Sequence, residues 1–204
     1  MDFRSPLQGV VRWVGTVSRA CPLWASLLAL PVVALAAPVH VALDPTPRSC
    51  RVHGGFAVAV PESLAWQVLT DYDHIPEFVH SMISSKRERG ADGGLHVRQI
   101  ASGKFFLFRH RVQILLAIDE DPRRRVRFRD VLNKDFVHYV GEWRMRPDSA
   151  GVQVSYTLDA EPRSAFSRSL CRGVLKNTAE DLLEEVRAEM VRRSALSSPT
   201  PVIR

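Results

Sequence analysis

The stretch Val137–Asp159, VHYVGEWRMRPDSAGVQVSYTLD, decides the fold. Val137, Tyr139, Gly141, Trp143 and Met145 share one parity, and Pro147–Gly151 then turns the chain. Beyond the turn Val152, Val154, Tyr156 and Leu158 alternate with Gln153, Ser155, Thr157 and Asp159. Period-two alternation on both sides of a tight turn predicts an antiparallel pair of strands with one apolar face.

The same period runs upstream. Ser81–Arg89 reads as a strand, and Leu95, Val97, Gln99 and Ala101 alternate with polar neighbours after the turn Gly90–Gly94. Phe106, Phe108, His110, Val112, Ile114 and Leu116 fall on one face of a long strand, Asp119–Arg124 turns, and Val126 and Phe128 alternate with arginines. With an earlier strand His53–Val60, this predicts a seven-stranded antiparallel sheet. Between its first two strands, Pro61-Glu62-Ser63 opens a helix with Leu64, Ala65, Val68 and Leu69 at helical spacing. Ile75–Val79 reads as a second short helix. After the sheet, Phe166, Leu170, Val174, Ala179, Leu182, Val186 and Met190 form an apolar stripe on a helix over Ala165–Arg193. The fold class is therefore α+β, with a curled sheet gripping one long helix.

The ends of the chain read differently. Arg4, Arg12 and Arg19 precede the apolar run Leu23–Ala36, which closes on Ala34-Leu35-Ala36. This three-part pattern predicts a secretory signal peptide over 1–36, or an N-terminal anchor if it is retained, and hence an exported, periplasmic domain. Residues 37–52, with three prolines, read as a linker, and 194–204 as a flexible tail. The domain proper is 53–193. Cys50 and Cys171 remain after residue 36; in an oxidising compartment they can bridge or stay as two thiols.

The chain has 204 residues, 46% hydrophobic and 25% charged, which excludes a disordered or fibrous protein. Its excess of 28 Lys+Arg over 22 Asp+Glu is too small and scattered to imply nucleic acid by itself. No Cys/His cluster has zinc spacing, and neither a Gly-x-Ser-x-Gly, a His-Glu-x-x-His nor a phosphate-loop pattern occurs, so neither metal nor cofactor is expected.

Specific residues carry a resemblance. Val60-Pro61-Glu62, Ala65-Trp66-Gln67-Val68-Leu69-Thr70-Asp71-Tyr72-Asp73 and Pro76-Glu77-Phe78-Val79, then Asp135-Phe136 with Gly141-Glu142-Trp143-Arg144, resemble the START/Bet v 1-like superfamily. They are similar to its bacterial polyketide-cyclase-like and coenzyme-Q-binding branch. The resemblance implies a helix-grip fold and a non-catalytic binding or carrier module for a hydrophobic small molecule, lipid or quinone-like. A polyketide cyclase or dehydratase is the enzyme alternative, and an RNA- or ribosome-associating toxin-like protein the second.

The cavity candidates are Tyr72, Phe78, Phe106, Phe108, His110, Phe128, Tyr139, Trp143, Tyr156 and Gly173. Aromatic walls with a few polar tips suit a flat apolar ligand, although a domain of this size also needs aromatics to fill its core. Gly173 would leave room beside the long helix. His110 shares its parity with Phe106 and Phe108, and Asp130 shares that of Phe128, which would allow an inward acid–base pair; a core-edge histidine satisfied by a neighbour is the favoured reading. Arg125, Arg127 and Arg129 share a strand face next to Arg123 and Arg124. That face reads as a solvated surface, as a contact with an anionic membrane, or as an RNA face that export disfavours. Pro76 beside Phe78 makes Tyr72–Val79 a short element able to open, with Phe78 as an apolar plug and Trp143 as fixed wall.

Overall fold

The computed structural model describes residues 38–45, 49–105, 108–163 and 165–197, with side chains except at 45, 103–105, 108–110 and 165–174. The elements are β1 (His40–Pro45), β2 (Cys50–Val58), α1 (Glu62–Leu69), a 3-10 turn (Tyr72–His74) and α2 (Ile75–Phe78). Then come β3 (Met82–Arg89), β4 (Leu95–Phe105), β5 (Phe108–Asp121), β6 (Arg125–Asp130), β7 (Phe136–Asp148), β8 (Gly151–Pro162) and α3 (Ala165–Ser197). All strands join one antiparallel sheet in the order β1-β2-β8-β7-β6-β5-β4-β3.

The period-two face meets the helix stripe, and this makes the core. Val52, Phe56, Val154 and Leu158 from the sheet are buried with Ala179, Leu183, Val186 and Met190 of α3. These α3 positions recur at steps of four, three and four, the spacing of one helix face. Gly54 lets the helix come close: a Cβ there would stand 2.9 Å from Leu183 Cδ1 and 2.5 Å from the His40 carbonyl oxygen. The helix-grip, α+β reading holds.

Several details are corrected. The sheet has eight strands rather than seven, because residues 40–45, inside the stretch read as a linker, pair with β2 from His40↔Gly55 to Pro45↔Cys50. Val39, Val41 and Leu43 alternate and pack on the core, a pattern hidden by the flanking prolines. The first expected strand starts at Cys50 and ends at Val58 rather than spanning His53–Val60. Leu183, fully buried, takes the core position given to Leu182. α3 runs on to Ser197, into the segment read as a tail. Cys50 is buried and disulfide-bonded; the side chain of Cys171 lies outside the described residues, as does the whole segment 1–36.

α1 follows Pro61, whose extended backbone (ψ 142) sets the chain into the helix without losing an intrahelical donor. It stops at Thr70, whose Oγ1 and backbone N–H both donate to the Trp66 carbonyl. Pro76, in the first turn of α2, likewise costs no bond. The chain from Tyr72 to Phe78 therefore crosses one end of the sheet as two short turns.

Candidate functional site

Between the concave sheet and α3 lies a cavity of about 120 Å³. The sheet supplies its floor, with Val97 and Gln99 from β4, Leu116 and Ile118 from β5 and Val126 and Phe128 from β6, continued by β7 and β8. Leu182 and Val186 of α3 form the opposite side. Tyr72, Ile75, Phe78 and Val79 cover one end.

Aromatic rings dominate the deep wall. Trp143 and Tyr156 lie 4.5 Å apart between centroids, Phe128 stacks on Tyr156 at 6.2 Å, and Phe136 leans on Tyr139 at 4.8 Å. Gly141 makes this packing possible, since a Cβ there would stand 2.2 Å from Phe128 Cζ. Phe128 (7% exposed) and Tyr156 (4%) are core residues that also face the void, whereas Trp143 is only half-buried.

Three kinds of polar group reach this apolar space. Tyr156 and Tyr139 hydrogen-bond to each other. Burial pushes the Tyr139 hydroxyl up to about 12, against the lowering effect of Tyr156, and burial together with Tyr139 pushes Tyr156 well above its ordinary value. Both therefore stay protonated at neutral pH and act as hydrogen-bond donors rather than bases. The Gln99 amide donates to Ser85 Oγ at 3.2 Å, both side chains being buried. Tyr72 donates to Glu120 Oε1 at 2.6 Å, and burial with that carboxylate raises its hydroxyl further.

The covering segment is fastened by side chains. Asp71 accepts from Arg193 of α3 at 2.9 Å and from His74 at 2.6 Å. Burial pushes Asp71 up, but those two partners outweigh it and hold its carboxyl below the usual range. Glu189, buried on α3, accepts from Arg192 and Arg193 at 2.6 Å each; Arg192 does most to lower its carboxyl. The Arg193 guanidinium also stands 5.8 Å above the Phe78 ring. His80 meets Glu185 at 2.6 Å, and Arg87 meets Asp73 at 2.7 Å.

Of the ten cavity candidates, Tyr72, Phe78, Phe128, Tyr139, Trp143 and Tyr156 line the void. Phe106 lies outside the described residues, as do the side chains of Phe108 and His110 and the surroundings of Gly173. Asp130 is buried, and the side chain of His110, its expected partner, lies outside the described residues. The Asp130 carboxylate accepts from the backbone N–H groups of Leu115, Leu132 and Asn133, each at 3.0 Å, and so caps the β6–β7 connection. Gln99 was overlooked, although its inward parity beside Val97 was the available signal. Among the described residues no group of His, Cys, Asp and Glu is placed to hold a metal ion.

Residues 49–193 match the family model described as polyketide cyclase / dehydrase and lipid transport. The chain belongs to this family. It is thereby a START/Bet v 1-like protein, and solved structures share its fold. The STAR-related lipid transfer protein from Xanthomonas axonopodis superposes with a TM-score of 0.61 at 15% identity, covering 76% of this chain and 97% of the other. The Zhui aromatase/cyclase from Streptomyces sp. R1128 gives 0.58 at 21% identity, covering 76% and 96%. The di-domain aromatase/cyclase StfQ of the steffimycin biosynthetic pathway gives 0.60 at 14% identity over 72% of this chain, which spans about half (52%) of StfQ. No curated protein sequence matches the chain. Family members thus include proteins named as cyclases and as lipid transporters, and binding of a hydrophobic small molecule is their common ground.

Proposed function

We propose that this family member is a non-catalytic carrier for a ring-bearing apolar molecule, lipid or quinone-like, working in the cell envelope after export. The observation that carries the reading is the apolar cavity between sheet and α3, closed at one end by a side-chain-fastened cover. Polar groups nearby are already engaged: Asp130 with three backbone amides, Tyr72 with Glu120, and Gln99 with Ser85. The raised tyrosines can donate to a ligand oxygen but cannot take a proton near neutral pH. The disulfide at Cys50 and the apolar run Leu23–Ala36 support an oxidising, extracytoplasmic address. Intact mass of the exported protein tests that address: loss of residues 1–36 is expected, and their retention makes the segment an anchor.

Native mass spectrometry of freshly purified protein, followed by solvent extraction, tests the cargo. A co-purified lipid or quinone is expected. A cyclase reading draws on the paired Tyr139 and Tyr156 hydroxyls inside the cavity. Turnover of an aromatic polyketide chain, abolished by Tyr139→Phe with the fold retained, would replace the carrier reading.

A further inference from the structure

We propose that the β5–β6 turn is a docking tip for the anionic headgroups of a phospholipid bilayer, placed beside the cover of the cavity. The turn Asp121-Pro122-Arg123-Arg124 is closed by the Arg124 N–H donating to the Asp121 carbonyl at 3.0 Å. Arg123 sits at φ 61, the left-handed region where turns favour glycine because a Cβ is crowded there. The other described residues with positive φ are Gly93, Gly151 and Asn133, types that tolerate it. At Arg123 the backbone instead carries strain and keeps a long cationic side chain at the tip. Strain of this kind persists where the side chain has a task.

That task is not found within the protein. Arg123 and Arg124 are exposed, and neither has an ion pair or side-chain hydrogen bond among the described residues. Their surroundings mix both signs, with Asp119 and Asp121 opposite Arg127 and Arg125 across β5 and β6. Arg125 stands directly opposite Arg144 across β6 and β7, an arrangement in which like charges repel. Glu142 serves Arg125, Arg127 and Arg144, and Asp119 also stands 3.8 Å from Arg125. Those arginines have carboxylate partners, whereas Arg123 and Arg124 have none among the described residues, and an external anion would supply one.

Position selects the anion. Ile118 before the turn and Val126 after it both line the cavity. Glu120, one residue from the turn, receives the hydroxyl of Tyr72 in the covering segment. A bilayer held at this tip would therefore rest against the element that an apolar cargo must pass. A polynucleotide could use the charge but has no use for an apolar cavity beside it. The purpose of docking rests on the carrier reading; the docking itself is measured without cargo.

The test sediments the full chain with vesicles of phosphatidylcholine alone or mixed with phosphatidylglycerol, at low and physiological salt. Binding that grows with phosphatidylglycerol and weakens with salt is expected. Arg123→Gly should lower that increment about fivefold, the usual weight of one cationic side chain at such a surface. The same variant should raise the melting temperature by about 1–4 °C, because it relieves the left-handed strain. Arg124→Gln should weaken binding similarly with the melting temperature unchanged. Arg51→Gln, an equal charge loss at a side chain paired with Asp159 on β2, should leave binding as it was. The proposal is overturned if Arg123→Gly keeps full binding or lowers the melting temperature, or if Arg51→Gln weakens binding as much. Tighter binding of single-stranded RNA than of vesicles at physiological salt would reassign the tip to nucleic acid. A protein that extracts no cargo yet binds these vesicles through Arg123 refutes the carrier alone, so the two failures are distinguishable.

Discussion

The two sides of the cavity are held together by different physics. On the sheet side, β5 to β8 form a ladder, irregular only between Phe136 and His138, whose backbone hydrogen bonds fix Phe128, Trp143 and Tyr156 at neighbouring registers. On the covering side, Tyr72 to Phe78 has only a 3-10 turn and a four-residue helix. Its attachments are side chains, namely Tyr72 to Glu120, Asp71 to Arg193, His80 to Glu185 and Asp73 to Arg87. A ladder opens cooperatively or not at all, while side-chain attachments can be broken one by one at small individual cost. One side is a wall, and the other is built to open.

The sharpest break of that contrast lies in the wall. Phe128→Ala should destabilise the domain by about 3–5 kcal/mol, as for other large buried aromatics, read from urea unfolding. Trp143→Ala should cost less, because the side chain is half-buried and faces the void. A Trp143 loss equal to that of Phe128 would place the tryptophan in the core. Next comes Gly141→Ala, whose new methyl meets the Phe128 ring and the Thr157 carbonyl oxygen. Overpacking of this kind costs about 1–3 kcal/mol, measured the same way.

The cover should respond in rate more than in stability. Arg193→Gln removes the partner of Asp71 and Glu189 and the cation above Phe78. A loss of about 1–2 kcal/mol is expected for these partly exposed contacts, with about tenfold faster exchange of a bound fluorescent hydrophobe. Phe78→Ala should also speed exchange. If it instead leaves exchange unchanged and destabilises as much as Phe128→Ala, Phe78 belongs to the core and the contrast fails.

The smallest effect is a slope with pH. Asp71 and Glu189 lie below their ordinary values in the folded protein. Their contribution is therefore complete above the unfolded range of about 4 and is lost as pH falls through the folded values. Exchange should accelerate below about pH 4 in wild type and be flatter in Arg193→Gln. His74 runs the other way: the hydrogen bond to Asp71 raises it, so its contribution is complete below about pH 6.5 and fades as pH rises through the raised value. Equal acid slopes in wild type and Arg193→Gln would detach these carboxylates from the cover.

Parity makes much of this legible in the sequence. Alternation told which residues of β7 and β8 face inward, and four of the six candidates found at the cavity came from strands read this way: Phe128, Tyr139, Trp143 and Tyr156. Parity does not distinguish an inward side chain that fills space from one that borders a void. That depends on how close α3 approaches, and Gly54 and Leu183 set the approach. The β1 strand was hidden because its alternation is only a few residues long and is framed by prolines. Asp130 shows a related limit: inward parity at the last residue of a strand does not reveal that backbone amides of the following turn claim its carboxylate.

The strand order also has a consequence for how the molecule assembles. The run from β3 to β8 pairs each strand with its predecessor and can form progressively through short turns. β2, however, finds its second partner only in β8, with Cys50 opposite Ala160 and Val58 opposite Val152. Joining them must close a loop of roughly a hundred residues, a slow step because its entropy is lost before the contacts form. Until β8 is available, Val52 and Phe56 lack the neighbours that bury them, and α1 has no finished surface to rest on. The amino-terminal hairpin of β1 and β2 is thus first in the sequence and last into the sheet, and a nascent chain released before residue 162 would carry it unpaired.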